Sequence, residues 1–164
     1  MENLRKIELS MEKLQVQLNN CYSSLNFKEE AVMDLLQCLY EFPLIRLLGG
    51  ELSVAFLSDD KIAQVHQDFL SDETPTDVIT FEGDQDMNFA GEICVSIDHA
   101  IKASKAHGTT FSEELTLYLV HGCLHLTGFD DLKEDDRKKM RVAEKECMNH
   151  LSELRNTSCF ELSK

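Results

Sequence analysis

The sequence predicts an α+β fold: a single domain in which a small mixed β-sheet packs against helices, with one central helix buried among them. Three observations lead there. Short runs that alternate apolar and polar residues interleave with longer runs at helical spacing. One helical run, around residue 120, is apolar on nearly every side, as a helix enclosed by neighbours must be. And 164 residues, 43% of them hydrophobic, suffice for one core and leave little for a second.

The elements follow in order. Residues 14–18, Leu-Gln-Val-Gln-Leu, alternate strictly and predict a half-buried strand. Asn26 and Glu29 have the spacing of a capping box, after which Ala31, Val32, Leu35, Leu36 and Leu39 recur at helical spacing until Pro43. Gly49-Gly50 predicts a turn, Leu52, Val54 and Phe56 a second strand, and 58–69 a short helix capped by Ser58. Thr74-Pro75-Thr76 predicts a loop, because proline fixes its own φ and biases its predecessor away from helix. Segments 77–81 and 92–97 are β-branched and apolar and predict two strands, joined across the polar stretch 82–88. Thr110 and Glu113 form a second capping box and launch the buried helix, with Phe111, Leu115, Leu117, Leu119, Val120, Leu124 and Leu126. A last helix is predicted from about Leu132 to about Arg155, facing Met140, Ala143, Cys147, Leu151 and Leu154 inward. No internal repeat divides the chain, so 1–164 is expected as one domain, with 1–13 as an N-terminal extension and 156–164 as a flexible tail.

Composition excludes several classes. No run approaches the ~20 apolar residues of a membrane span, and the charged N-terminus builds no signal-peptide core; no membrane partner is expected, and the expected location is the cytosol. Cys21, Cys38, Cys94, Cys123, Cys147 and Cys159 include no Cys-x-x-Cys pair and are expected reduced, mostly packed as small hydrophobes. The formal charge of -14 argues against nonspecific nucleic-acid binding, which depends on Lys and Arg releasing counterions, so no DNA partner is expected. RNA would have to be met locally, and a bound divalent cation is one source of local positive field.

The chemistry concentrates at the end of the buried helix, in His121-Gly-Cys-Leu-His125-Leu-Thr-Gly128-Phe-Asp130-Asp131. Histidines at i and i+4 project from one helix face about 6 Å apart and can reach one metal ion. Gly128 can adopt the left-handed conformation that stops the helix and turns the chain back. Asp131 then returns as third ligand, leaving the open position that distinguishes catalytic from structural zinc. Asp131 also has a second reading, as N-cap of the last helix with Glu134 completing a capping box, and Asp130 is the rival ligand. The expected cofactor is one transition-metal ion, zinc first, serving hydrolysis. Cys123 lies on the opposite side of the helix and is expected in the core; His66, His99, His107 and His150 are expected as surface or ordinary core residues. The spacing also resembles that of the metzincin peptidases, which place a glutamate after the first histidine as general base. Gly122 stands there instead, which disfavours a peptidase.

Together with Pro75-Thr76-Asp77-Val78-Ile79-Thr80-Phe81, Ala90-Gly91-Glu92-Ile93 and Glu114-Leu115, this segment resembles the YbeY family of bacterial metal-dependent endoribonucleases and rRNA maturation factors, over residues 50–150. The resemblance implies cleavage of single-stranded RNA and a role in maturation or quality control of ribosomal RNA. Its partners would be RNA and the ribosomal particle or its proteins. It names no catalytic side chain beyond the metal-activated water, and it offers Thr76 and Asp77 as substrate- or water-orienting residues, which their own chemistry also suits to structuring the turn. Two departures stand out. The family's usual third histidine is Asp131 here, and the arginine it carries after an aromatic, before the Thr-Asp-Val strand, is Leu70. The family's asparagine four residues before that arginine is His66. The other reading is a ribosome-assembly factor that binds protein through its acidic surface, its metal mainly structural.

Overall fold

The computed structural model describes residues 13–154 and 158–164. The chain runs β1 (Gln15–Asn20), β2 (Leu25–Phe27), α1 (Glu29–Glu41), β3 (Glu51–Leu57), α2 (Asp59–Leu70), β4 (Val78–Asp84), β5 (Phe89–Ser96), α3 (Ile97–His107), α4 (Phe111–Thr127), α5 (Glu134–Leu154) and β6 (Phe160–Leu162). The main sheet has the order β1-β3-β5-β4; β1, β3 and β5 are parallel and β4 is antiparallel to β5, so the sheet is mixed as expected. This is the predicted α+β fold.

Strand alternation divides the side chains between two faces. Leu52, Val54 and Phe56 of β3, with Ile93 and Val95 of β5, join the main core with α1, α4 and α5. Ala55, Leu57, Ile79 and Cys94 face the other way, where Ile62 and Val65 of α2 cover them. The helix α4 lies within the main core and buries Leu115, Leu119, Val120, Cys123 and Leu124. Two glycines set how closely it approaches the sheet. A Cβ on Gly122 would stand 2.6 Å from Cγ2 of Ile93, and one on Gly91, whose φ is +136°, would stand 2.8 Å from Cδ1 of Leu126. Missing side chains thus let helix and strand touch.

Several expectations need correction. Asn26 is no helix cap: it sits in β2, which pairs antiparallel with β6, and its side chain bonds the Ser163 hydroxyl. The N-cap of α1 is Lys28, which makes no side-chain capping bond. The segment expected as a tail therefore carries a strand, anchored by Phe160 against Phe27 and Phe56. The sequence reading missed α3 altogether, although Ser96 caps it, accepting from the His99 N–H at 3.1 Å, and left-handed Gly108 ends it. After Ile97, the buried residues of α3 are small, Ala100 and Ser104, which give little apolar periodicity. Both hairpin strands run longer than expected, meeting across residues 85–88. Met140, Ala143, Cys147 and Leu151 of α5 are buried, but Leu154 is exposed. The expected extension 1–13, apart from Lys13, and the expected helix end at Arg155 lie outside the described residues. Among the described residues no disulfide forms; Cys38, Cys94, Cys123 and Cys147 are buried, and burial pushes the Cys123 thiol up to about 12.

Candidate metal centre

The site begins with the way α4 stops. Gly128 takes φ +110°, and the N–H groups of Gly128 and Phe129 turn back to the carbonyls of His125 and Leu124 at 2.9 and 3.0 Å. The chain then doubles back alongside its own helix. Asp130 structures the return: its Oδ1 accepts from the N–H of Asp131 at 2.7 Å and of Leu132 at 3.2 Å. Thus Asp130, the rival ligand, spends that oxygen on backbone. Asp131 is not the cap of α5, which starts only at Glu134. Its carboxylate turns to the histidines instead.

Nε2 of His121 and Nε2 of His125 lie 2.9 Å apart, and Oδ2 of Asp131 lies 3.4 and 3.6 Å from them. Ligands at about 2.1 Å from a tetrahedral metal stand about 3.4 Å from one another, so the triangle has the right size for one ion. The other ring nitrogens fix the tautomers. Nδ1 of His121 bonds Oε1 of Glu144 at 2.6 Å, and Nδ1 of His125 bonds the Phe129 carbonyl at 3.0 Å. Both acceptors call for a proton on Nδ1, which leaves an Nε2 lone pair on each neutral ring. Two lone pairs and a carboxylate oxygen then converge on one point, an arrangement that a cation relieves. His121, His125 and Asp131 are partly buried and form a group able to hold a metal.

The electrostatics agree. Burial pulls His121 toward its neutral form, but the Glu144 hydrogen bond and the charges of Glu144, Asp77 and Asp131 outweigh it and leave its pKa raised. The site is negative and favours a positive guest.

Sequence reasoning missed Glu144. It belongs to α5 and meets His121 across 23 residues of chain, completing a carboxylate–histidine pair. A signal was present: Glu144 is an acid four residues after Met140 and three before Cys147, on the helix stripe read as inward-facing. Tyr118, three residues before His121 on the same helix, is buried in the main core. Burial, with Asp77, Glu114 and Asp59 nearby, pushes its phenol pKa up.

The remaining expected residues are distributed as follows. Asp77 Oδ1 accepts from the Val78 N–H at 2.9 Å and the Thr76 hydroxyl at 3.2 Å, so the pair does structure the turn. The charge of Asp77 also contributes to the field at His121. Leu70 ends α2 and is exposed, as is Phe69, whose ring packs edge-on against Phe81 at 5.0 Å. Lys61 bonds the Cys21 carbonyl at 3.0 Å. The other four histidines lie outside the metal group. His66 bonds the Thr74 carbonyl, His99 meets Asp59, His107 meets Glu114, and His150 stacks on Phe42 at 4.2 Å. Gly122 carries no base, but its contact with Ile93 shows what a glycine does there.

Comparison with known proteins identifies the family. A family model described as Endoribonuclease YbeY matches residues 6–152. A Protochlamydia amoebophila protein named Endoribonuclease YbeY is 44% identical over 108 residues, covering 63% of this chain and 72% of its own length. One of the same name from Halalkalibacterium halodurans is 37% identical over 111 residues, covering 60% of this chain and 70% of its own. The solution structure of TM1509 from Thermotoga maritima superposes with a TM-score of 0.57 at 24% identity, over 85% of this chain and 90% of that one, a likeness of fold. With a family model matching residues 6–152, most of its length, the chain belongs to the YbeY family.

Proposed function

We propose that this chain is a metal-dependent endoribonuclease that cuts single-stranded RNA, holding one zinc ion through His121, His125 and Asp131 and acting in the cytosol in ribosomal RNA maturation and ribosome quality control. The observation that carries the reading is the convergence of two Nε2 atoms and Oδ2 of Asp131 within 2.9 to 3.6 Å, both rings held by bonds at Nδ1. The names of the relatives supply the reaction class. When bound, zinc would supply a Lewis acid for a phosphoryl oxygen and lower the pKa of water.

The chain's own residues do the rest. Glu144 and the Phe129 carbonyl orient the two imidazoles, and Asp130 shapes the turn that presents Asp131. Thr76 and Asp77 orient substrate or water: both of their local bonds fall on Oδ1 of Asp77, so Oδ2 is the atom that this residue offers. The test is direct. His121→Ala and His125→Ala should each abolish stoichiometric zinc uptake, measured by elemental analysis, and with it the cleavage of a single-stranded RNA. Full zinc in either variant would sink the ligand assignment.

A second reading draws on the net charge of -14, which suits docking to basic ribosomal proteins. In that reading the metal is structural, and a zinc-free variant still binds the ribosomal particle. Loss of RNA cleavage on chelation, restored by added zinc, decides for the enzyme.

A further inference from the structure

The loop that returns Asp131 is gripped from both sides. On one side Asp130 accepts from the N–H groups of Asp131 and Leu132. On the other, Nη1 of Arg137, one turn into α5, donates to the carbonyl of Leu132 at 2.8 Å and lies 3.4 Å from that of Asp131. Residues 129–133 belong to no helix or strand, so the periodic hydrogen bonds that fix the two histidines are missing here. A carboxylate on one methylene also reaches less far from its backbone than an imidazole does. The backbone of Asp131 must therefore be set close to the histidines and kept there.

We propose that Arg137 is a positioning residue for the metal centre, acting through the backbone of Asp131, with Asp130 as the opposing half of the clamp. Guanidinium suits the task because it is permanently charged and the two hydrogens on the single nitrogen Nη1 can address the two carbonyls together. The proposal rests on the assignment of His121, His125 and Asp131 as the ligands. It predicts that Arg137 affects metal affinity only while Asp131 is present.

The experiment is a double-mutant cycle on zinc affinity, read by competition with a chromophoric chelator, using the wild type, Arg137→Ala, Asp131→Ala, the double variant and His121→Ala. Arg137→Ala should weaken zinc binding by a factor on the order of ten or more, as outer residues of metal sites do. Arg137→Lys should recover part of the loss, since an ammonium can serve one carbonyl. In the Asp131→Ala background the Arg137 effect should vanish. Wild-type affinity in Arg137→Ala, or an equal loss with and without Asp131, overturns the clamp. Where Arg137→Ala fails to fold by circular dichroism of the zinc-free protein, Arg137→Lys takes its place in the cycle. A wild type that takes up no zinc, or a His121→Ala that keeps it, refutes the ligand assignment itself.

Discussion

At His121 the ring nitrogen that faces away from His125 and Asp131 matters as much as the one that faces them. Glu144, 2.6 Å from Nδ1, fixes the tautomer and makes the ring a stronger donor through Nε2. Glu144→Gln keeps the shape and an acceptor oxygen but removes the charge. Zinc affinity should therefore fall about tenfold or more, while the zinc-free protein keeps its fold. Competition against a chelator checks the first point and circular dichroism the second. Unchanged affinity would reduce Glu144 to a packing role. The histidine pair was legible in the sequence because i, i+4 spacing on a helix guarantees a shared face. Glu144 was not, because its role depends on how α5 lies against α4, which no local pattern records.

Among the elements, α4 is placed by what it lacks. With Ile93 Cγ2 only 2.6 Å from the position of a Cβ on Gly122, Gly122→Ala must push helix and strand apart or force Ile93 from its rotamer. The expected cost is about 1–3 kcal/mol of stability, read by urea denaturation. Gly122→Ala with Ile93→Leu, which removes the second γ carbon, should recover part of it. No effect of Gly122→Ala would show that α4 has slack over β5. A different device ties α2 to α3. Asp59 opens α2; its Oδ1 meets Ser96 and His99 at 2.7 Å, its Oδ2 meets Lys102 at 2.8 Å, and its N–H donates to Asp98. Burial opposes the charge, yet the bonds from Lys102, Ser96 and His99 prevail and hold the carboxyl at about 2. A depressed carboxyl stabilises the fold above its unfolded value and loses that contribution as pH falls through the folded one. The stability difference between the zinc-free wild type and zinc-free Asp59→Asn should thus be full near neutrality and shrink between about pH 4 and pH 2. A difference constant over that window would refute the role of the charge. The long elements were legible because their apolar periodicity runs for several turns. The strands β2 and β6 were not, since three residues cannot alternate convincingly and their pairing spans most of the chain.

For the whole molecule, the net charge of -14 sets the terms on which a polyanion approaches. Most RNA-binding proteins lose affinity as salt rises, because their cations release fewer counterions. This chain should begin in the opposite sense. Its long-range repulsion is strongest where the screening length is about 30 Å, near 0.01 M salt, and is largely cut off at the ~8 Å of 0.15 M. At fixed zinc loading, kcat/KM for a short single-stranded RNA should rise over that range. Leu70 is where the two regimes can be separated. It ends α2 on the surface, so an arginine there displaces no core packing. Leu70→Arg supplies the guanidinium that the family resemblance leads one to expect, able to grip a phosphate with two parallel bonds. A transition-state contribution of even ~1.4 kcal/mol gives a tenfold faster reaction. Its gain should be greatest at low salt and diminish as salt screens the new contact, flattening the rise expected of the wild type. Cleavage that falls with salt in the wild type would mean that a local basic track outweighs the global charge. Equal rates for Leu70→Arg and wild type at every salt concentration would place Leu70 off the path of the RNA.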